Sequence, residues 1–383
     1  MLRIFFLSSL LFVFGFAKSL HIQWDNTYGA DKEDKAYGVT GTQDGGIAMA
    51  GTTRSFSLGK EDVYLLKTDP KGRLLWEKRL GGARKDIAYA IDESPEGALY
   101  VAGLSKSFSK EGDYDVYVLK LSAKGKVLWG KSLGGPGKDY GYGVTATRDG
   151  GAAIVGKTKS FGHGHYDMYV IKLSPEGKVL WSKTFGGESN DEAHAVTELP
   201  DGTLIIVGGT ESFGAGDFDF YIVKLAPDGK KLWEKYYGEK RADLFYCVTP
   251  AANGGFTAAG YTRSYGSKKK DLTVMRCDKD GNTIWHKIVG RQNHEVANGI
   301  VATENDGVLI VGSTKSKGHG KNDFYILHFN ANGQLTYDKT FGGKKNDVAN
   351  AVARTRDGGY AVAGESESFG DDTEYDAYLM KLK

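Results

Sequence analysis

The sequence predicts an all-β protein, a seven-bladed β-propeller made of four-stranded antiparallel blades. The first reason is that a large aromatic residue recurs every 52 or 53 residues, which indicates one supersecondary unit copied seven times. The second reason is that each copy contains four short runs rich in Val, Ile, Tyr and Thr, separated by turns with Gly and Asp. The recurring aromatic residues are Trp24, Trp76, Trp129, Trp181, Trp233, Trp285 and Tyr337.

The four runs of each copy are expected to form strands A to D in chain order. In the third copy, strand A begins near Asp139 and strand B follows the turn at 149–151. Strand C then begins near Asp167, and strand D carries Trp181. Residues 21–29 match strand D alone, whereas the last copy stops after strand C. We therefore expect the N-terminal strand to complete the seventh blade, which closes the ring and removes free sheet edges.

The first 17 residues have the features of a secretory signal peptide, and residues 18–383 are predicted to form one propeller domain. Arg3 precedes the apolar run 4–16, and the segment ends in a small residue, Ala17. The run is short for a membrane span, which takes about 20 residues. An exported protein, periplasmic or secreted, without a membrane span in its mature form is therefore expected.

Charge balance argues against nucleic acid as a partner, and the positions of the two cysteines argue against a disulfide. The formal net charge is +2, and the one dense basic run, Lys268 to Lys270, is interpreted as a solvated loop, with a polyanion site as the alternative. Cys247 and Cys277 fall on strands A and C of one blade. Strands two places apart lie about 9–10 Å apart, whereas a disulfide needs Cα atoms within about 7 Å. Both cysteines are expected to be small buried apolar residues.

Three polar series recur in all seven copies, on the face of the ring where strands A and C begin. Their expected role is to tie loops to backbone N–H groups, because Asp and Ser side chains accept such bonds in turns. The first series precedes strand A and comprises Asp34, Asp86, Asp139, Asp191, Asp243, Glu295 and Asp347. The second begins strand C and comprises Asp62, Asp115, Asp167, Asp219, Asp271, Asp323 and Asp376. The third ends strand B and comprises Ser55, Ser107, Ser160, Ser212, Ser264, Ser316 and Ser368.

The carboxylates before strand A have an alternative role, because they begin the innermost strands and could surround the mouth of the central channel. There they could supply oxygen ligands to Ca²⁺ or another divalent cation. Basic residues that recur on strands C and D are expected on solvated outer faces of the blades. Those of strand C are Lys67, Lys120, Lys172, Lys224, Arg276, His328 and Lys381.

Function is expected where the copies differ. Three residues after each carboxylate of the first series, the innermost strand carries an aromatic or polar residue that varies from copy to copy. Such side chains offer flat faces and hydrogen-bonding groups, which suit a protein, a glycan or a small polar ligand. Packing between blades with bonded polar ends is the alternative. The candidate ligand-binding residues are Tyr37, Tyr89, Tyr142, His194, Tyr246, Asn298, Asn350, Asp139 and Asp191.

A weaker pattern raises the hypothesis of a metal site on the same face. His163 and His165 lie in the B–C loop of the third copy, and His194 begins the next copy. Alternate residues of an extended segment point the same way, so these imidazoles and Asp191 could supply nitrogen and oxygen ligands. A Gly-rich solvated loop is the alternative explanation.

Two segments carry most of the repeat pattern. One is 357–364, Asp-Gly-Gly-Tyr-Ala-Val-Ala-Gly, and the other runs from Lys172-Leu173 through Gly177 to Trp181. The pattern resembles that of secreted bacterial and archaeal β-propeller repeat proteins, and its Gly177–Trp181 part resembles the docking motif of quinoprotein propeller repeats. The resemblance covers nearly the whole chain after the signal segment. It implies the architecture and leaves the activity unassigned.

The sequence favours a binding protein over an enzyme. Each repeat unit is 52 or 53 residues long, so no loop is long enough to form a lid. Every Trp belongs to strand D, away from the axis, where a quinoprotein dehydrogenase would be expected to stack its cofactor on a Trp. We therefore predict a monomeric exported scaffold, without catalytic residues, that recognises a protein, a glycan or a small ligand on the face where strands A begin. The alternatives are a structural partner in envelope assembly and a propeller enzyme, either a quinoprotein-like dehydrogenase or a glycosidase.

Overall fold

Seven four-stranded antiparallel sheets surround a central axis in the computed structural model, which describes residues 20–57, 59–370 and 374–383. In blades 1 to 6 the strands follow the order A, B, C and D from the axis outward. The signal segment expected at residues 1–17 lies outside the described residues. No helix within the described ranges has the length and apolar character needed to cross a bilayer.

The strands are numbered in chain order, and β1 belongs to blade 7. Blades 1 to 3 follow: β1 (Ile22–Tyr28), β2 (Asp34–Gly41), β3 (Ile47–Thr53), β4 (Asp62–Thr68), β5 (Leu74–Leu80), β6 (Asp86–Glu93), β7 (Leu99–Ser105), β8 (Asp115–Leu121), β9 (Val127–Leu133), β10 (Asp139–Ala146), β11 (Ala152–Thr158), β12 (Asp167–Leu173) and β13 (Val179–Phe185). Blades 4 to 7 contain β14 (Asp191–Glu198), β15 (Leu204–Thr210), β16 (Asp219–Leu225), β17 (Lys231–Tyr237), β18 (Asp243–Pro250), β19 (Phe256–Thr262), β20 (Asp271–Cys277), β21 (Thr283–Val289), β22 (Glu295–Ala302), β23 (Val308–Thr314), β24 (Asp323–Phe329), β25 (Leu335–Phe341), β26 (Asp347–Arg354), β27 (Tyr360–Ser366) and β28 (Asp376–Leu382). A single 3₁₀ turn, Glu304–Asp306, replaces the usual hairpin turn of blade 6.

The N-terminal strand closes the ring. Strand β1 pairs antiparallel with β28, so the seventh blade consists of β26, β27, β28 and β1. Just beyond this pairing, His21 and Lys383 exchange two backbone hydrogen bonds of 3.0 and 3.1 Å. The prediction of a seven-bladed propeller completed by its first strand is therefore confirmed.

The core lies between the blades and not inside any one of them. In blade 1, strands B and C are buried along their whole length, whereas every residue of strand D is half-buried or exposed. One apolar cluster joins Val170 of blade 3 to Ala193 and Tyr221 of blade 4. Each sheet thus buries both faces against its neighbours, and apolar burial stabilises by about 25 cal/mol per Å².

The repeated Trp residues join each blade to the next one. The Trp129 indole N–H donates to the Pro175 carbonyl in the C–D turn of the following blade, at 3.1 Å. A Cβ on Gly177, at φ +78°, would stand 3.0 Å from the Trp129 ring. At the last junction Leu20 takes the position of that glycine, and the smaller Tyr337 donates its hydroxyl to the Leu20 carbonyl at 3.1 Å.

Substitution of Gly177 by Ala tests this contact, and Gly97 provides a matched control. Both glycines have nearly the same positive φ, but a Cβ on Gly97 would meet no atom within 4 Å. We expect Gly97→Ala to cost about 1–2 kcal/mol for the left-handed backbone alone. Gly177→Ala should cost about 1–3 kcal/mol more, because the indole must shift. Urea unfolding midpoints would show the difference, and equal midpoints would contradict the docking role of Trp129.

The basic residues of strand C are more buried than the sequence predicted. They were expected on solvated outer faces, but Lys67 and Lys381 are each only 1% exposed. The Lys67 ammonium lies 2.6 Å from the Asp44 carboxylate, in the A–B turn of the same blade. The expectation was wrong because neighbouring blades cover both faces of strand C, so its lysines reach along the sheet to the turn. Cys247 and Cys277 are free and buried, as predicted.

Candidate functional site

A β-bulge in every strand A places one side chain at the axis of the ring. In blade 3, Gly141 pairs with Gly156 and Gly143 with Val155, so Tyr142 has no partner on strand B. Bulges commonly re-aim a side chain next to a functional site. The same register shift occurs in all seven blades, and the bulge residues are Tyr37, Tyr89, Tyr142, His194, Tyr246, Asn298 and Asn350.

A glycine on strand B makes the bulge sterically possible. In blade 3 a Cβ on Gly156 would stand 1.8 Å from the Tyr140 carbonyl oxygen, so any other residue would force the two strands apart. The seven varied positions singled out by the sequence are therefore one structural feature, a bulge opposite a glycine. The corresponding glycines are Gly51, Gly103, Gly156, Gly208, Gly260, Gly312 and Gly364.

Five of the bulge residues form a continuous arc of rings, which we call the aromatic arc. Neighbouring ring centroids are 5.4 Å apart for Tyr37 and Tyr89, and 5.5 Å for Tyr89 and Tyr142. His194 stacks on Tyr142 at 5.4 Å and meets the edge of Tyr246 at 4.8 Å. Burial raises the pKa of all four tyrosines well above the usual range, so their hydroxyls remain donors at neutral pH.

Two asparagines complete the ring where the aromatic arc ends. The Asn298 amide donates to the Ala349 carbonyl at 3.0 Å, and the Asn350 amide donates to the Ala36 carbonyl at 2.9 Å. These bonds join blade 6 to blade 7 and blade 7 to blade 1. Together the seven bulge residues line a channel cavity of about 230 Å³, whose wall continues with aliphatic residues such as Val39.

A charged and aromatic patch extends the arc over blades 3 and 4. The Glu192 carboxylate lies 2.9 Å from His194 Nε2 and accepts from Lys157 Nζ, also at 2.9 Å. Lys157 Nζ in turn lies 4.9 Å from the centroid of the Tyr166 ring. Tyr140 fills the space between Tyr142 and Tyr166, with centroid distances of 5.9 and 6.2 Å.

We call these residues the blade 3–4 patch: Tyr140, Lys157, Tyr166, Glu192 and His194. Only His194 among them was predicted from the sequence as a candidate site residue. A signal for them exists, because their equivalents also vary between copies. Tyr140 and Glu192 occupy the same repeat position, one residue after the carboxylate that begins strand A. In other blades this position is taken by Lys35, Ile87 and Leu244. The sequence does not show which of these varied residues contact one another across neighbouring blades.

Glu192→Gln tests whether this carboxylate holds the blade 3–4 patch together. Burial alone would raise the pKa of Glu192, but the His194 hydrogen bond and charge and the Lys157 ammonium lower it to about 2. Because the unfolded value is about 4.3, the stabilisation is complete above that pH and is lost as the pH falls toward 2. At pH 7 we expect Glu192→Gln to lose about 2 kcal/mol, a typical value for hydrogen bonds to a charged group.

Urea unfolding of the wild type and Glu192→Gln at pH 7 and at pH 3 measures this effect. The difference between the two proteins should shrink at pH 3, and a constant difference would contradict the assignment. Glu188→Gln is the control, because Glu188 is exposed and four residues earlier in the chain.

The carboxylates before strand A accept hydrogen bonds from loop residues, which is the first of the two roles expected for them. Asp139 is fully buried and accepts from the Gly135 N–H at 2.9 Å and from Ser160 Oγ at 2.6 Å. Asp191 is equally buried and accepts from the Gly187 N–H at 2.9 Å. A ligand at the channel mouth would meet the bulge residues, whereas the Asp139 and Asp191 side chains lie beneath the surface.

The hypothesised metal ligands are not brought together. Nowhere in the described part of the chain do three His, Cys, Asp or Glu side chains come close enough to hold a metal ion, so His163, His165, His194 and Asp191 form no such group. His194 instead contacts Glu192, and the backbone N–H of His163 donates to Asp167 at 3.0 Å. Among the described residues, the carboxylates before strand A likewise form no group of three that could hold Ca²⁺.

Comparison with known proteins gives one family and several distant likenesses. Residues 115–366 match the family model described as outer membrane protein assembly factor BamB. The regulatory protein FlaEY of Caulobacter vibrioides is 24% identical over 236 residues, which are 55% of this chain and 24% of FlaEY. The chain therefore spans about a quarter of the length of that relative.

Two solved structures share the architecture. A fungal alcohol oxidase of the AA5 family, in complex with copper, has a TM-score of 0.59 at 12% identity, covering 94% of this chain and 76% of its own. A protein from Dyadobacter fermentans has a TM-score of 0.53 at 13% identity, covering 96% of this chain and 99% of its own. At such identities the likeness shows the fold alone.

Proposed function

The chain belongs to the family of the outer membrane protein assembly factor BamB, and from this premise we propose that it is an exported binding scaffold of the cell envelope. Its recognition face is the one where strands A begin. The proposal rests on one observation. The repeat position that is free of strand pairing is also the position that breaks the sevenfold symmetry, with rings on blades 1 to 5 and amides on blades 6 and 7.

The partner is a protein. The channel cavity of about 230 Å³ is smaller than the 300–1,000 Å³ of typical small-molecule sites, and it suits one inserted side chain. Around it, the aromatic arc and the blade 3–4 patch present Tyr faces beside Lys157 and Glu192. Tyr is enriched in protein interfaces because it combines a large flat area with one polar group.

Site-specific photo-crosslinking in the cells that make the protein tests this proposal. Benzoylphenylalanine placed at Tyr142 or Tyr166 should give one discrete adduct with an envelope protein. Leu180 is the control, because it is 51% exposed but lies on an outer strand D. Tyr140→Ala should abolish the adduct formed from Tyr166. Absence of adducts from the recognition face would contradict a protein partner, and competition by a soluble glycan would assign the face to glycans.

Export is the second part of the proposal. Residues 1–17 are proposed to be removed, so that the mature protein begins at Lys18. Mass spectrometry of protein from the periplasm and the medium should detect a chain that begins at Lys18. Recovery of the intact chain from the cytoplasm alone would contradict export.

A further inference from the structure

A cationic cluster without an acidic partner lies at the rim between blades 5 and 6, on the same face as the aromatic arc. Its members are Arg263, Lys269, Lys270, His294 and Lys315. Strand pairing and loop bonds hold them together, since the Lys270 N–H donates to His294 Nδ1 at 3.2 Å and the Lys315 N–H donates to the His294 carbonyl at 2.8 Å. Within the described residues, none of the five forms an ion pair.

The equivalent place between blades 1 and 2 shows what the cationic cluster lacks. There, Glu61 accepts from Arg54 Nε at 2.9 Å, and its other oxygen lies 2.7 Å from Lys85 Nζ. By repeat position, Arg263 corresponds to Arg54 and Lys270 corresponds to Glu61. Blade 1 therefore supplies its own counter-charge, whereas blade 5 supplies one more cation at the same point.

The neighbouring carboxylate, Glu295, is already engaged by other hydrogen-bond donors. Glu295 is fully buried and accepts from the Arg291 N–H at 2.9 Å and from Thr314 Oγ1 at 3.0 Å. It therefore belongs to the loop-tying series described above. Arg263, Lys269 and Lys315 are exposed, so an anion can reach the cationic cluster from solvent.

Lys270 is held at the centre of the cationic cluster despite the repulsion. Its ammonium lies 4.2 Å from the centroid of the Tyr261 ring, which contacts Tyr246 of the aromatic arc at 5.6 Å. Burial, together with the charges of Arg263 and Lys315, lowers the pKa of Lys270. A neighbouring like charge disfavours the charged form of a group, and an anion bound among these cations would remove that repulsion.

The loop before Lys270 carries a strained residue. Lys268 has φ +64°, one of three non-glycine residues with positive φ in the described chain, and its carbonyl accepts from Arg241 at 3.2 Å. Backbone strain of this kind costs about 1–3 kcal/mol and is concentrated at ligand sites. Here it fixes the course of the loop that presents Lys269 and Lys270.

We infer that Arg263, Lys270 and Lys315 form a binding site for a phosphate group, with Tyr261 as its floor. A guanidinium fork binds two phosphate oxygens at once, and two ammonium groups from neighbouring blades match the charge of a dianion. The phosphate belongs either to a soluble phosphoryl compound or to a phospholipid headgroup. This site goes beyond the proposed protein-binding function and does not depend on it.

Titration calorimetry with inorganic phosphate is the first test. The wild type should bind one phosphate, and Lys270→Gln should bind it at least tenfold more weakly. Lys268→Gln is the matched control, because it removes the same charge from the same basic run and should change the affinity less than twofold. An equal loss in both variants, or no binding by the wild type, would overturn the site.

Lys270→Glu separates loss of the site from loss of the fold. This change gives blade 5 the acid that blade 1 already has at the same position. The variant should bind no phosphate, and its Tm in the absence of phosphate should exceed that of the wild type, because the repulsion is replaced by attraction. A Tm below that of the wild type would contradict the charge conflict on which the site is based.

Vesicle sedimentation distinguishes the two sources of phosphate. Vesicles of phosphatidylglycerol and phosphatidylcholine are compared with vesicles of phosphatidylcholine alone. Selective binding to the anionic vesicles that Lys270→Gln abolishes would identify a lipid headgroup as the ligand. Phosphate binding without vesicle binding would identify a soluble phosphoryl compound, and binding to neither probe would overturn the inference.

Discussion

Deletion of residues 22–28 is expected to abolish the cooperative unfolding transition of the protein and to make it aggregate. The deletion removes β1, so β28 becomes an edge strand with unpaired backbone groups, which invite pairing with other chains. It also removes Trp24, whose indole donates to the Pro70 carbonyl of blade 1 at 3.1 Å. Blade 7 therefore loses both a strand and its joint to the next blade.

Differential scanning calorimetry and size-exclusion chromatography measure this effect, and a circular permutant is the control. The permutant joins Lys383 to His21 through Pro-Glu-Gly, the tripeptide that links the equivalent Ser174 and Lys178. Its new ends lie between Glu96 and Gly97, in an A–B turn where Glu96 is exposed and a Cβ on Gly97 would meet no atom within 4 Å. We expect its Tm to stay within about 2 °C of the wild type, which for a chain of this length corresponds to about 1–2 kcal/mol. A single sharp transition in the deletion variant would contradict the closing role of β1.

Asp44→Ala is expected to destabilise the protein more than Lys67→Met, although both changes break the same ion pair. The reason is burial, since Lys67 is 1% exposed and the Asp44 side chain is 56% exposed. Removal of Asp44 leaves a buried ammonium without its counter-charge, which costs about 3–5 kcal/mol. Removal of Lys67 leaves a carboxylate that water can solvate, and an apolar replacement is often neutral.

Urea unfolding of the two single variants and of the double variant measures the asymmetry. The double variant should resemble Lys67→Met, because no buried charge remains. If Lys67→Met were the more costly single change, the pair would contribute through packing of the lysine stem and not through its charge.

The same pair gives a pH dependence. Burial alone would raise the pKa of Asp44, but the Lys67 ammonium and the Thr42 hydroxyl lower it below its usual range. The unfolded value is about 3.9, so this stabilisation is complete above that pH and is lost as the pH falls through the lower folded value. Below about pH 4 the wild type should therefore lose stability faster than Asp44→Asn. Parallel pH curves would contradict the pairing.

The architecture could be predicted because the same sequence pattern is repeated seven times. The spacing of the Trp residues gives the unit, and the strand D pattern at residues 21–29 gives the closure. The burial of Lys67 could not be predicted in the same way. Alternation along a strand assigns side chains to faces, but it does not show that neighbouring blades cover both faces.

The candidate site was predicted in part. Variation between copies singled out Tyr142 and His194, because both occupy the bulge position. It did not single out Lys157 or Glu192. These two residues are 35 positions apart in the sequence, and their contact joins two neighbouring blades. The basic run at 268–270 was interpreted as a solvated loop because a run of lysines shows charge but not the position of Lys270 over the Tyr261 ring.

The bulge in strand A has a consequence for how such a protein can change over time. The residue at the bulge takes no place in the strand register, so its replacement leaves every strand pair intact. Five rings and two amides already occupy this position in one chain on one scaffold. Substitutions at these seven positions therefore leave the strand register unchanged, so relatives with the same fold can acquire different partners by changing the rings and amides around one axis.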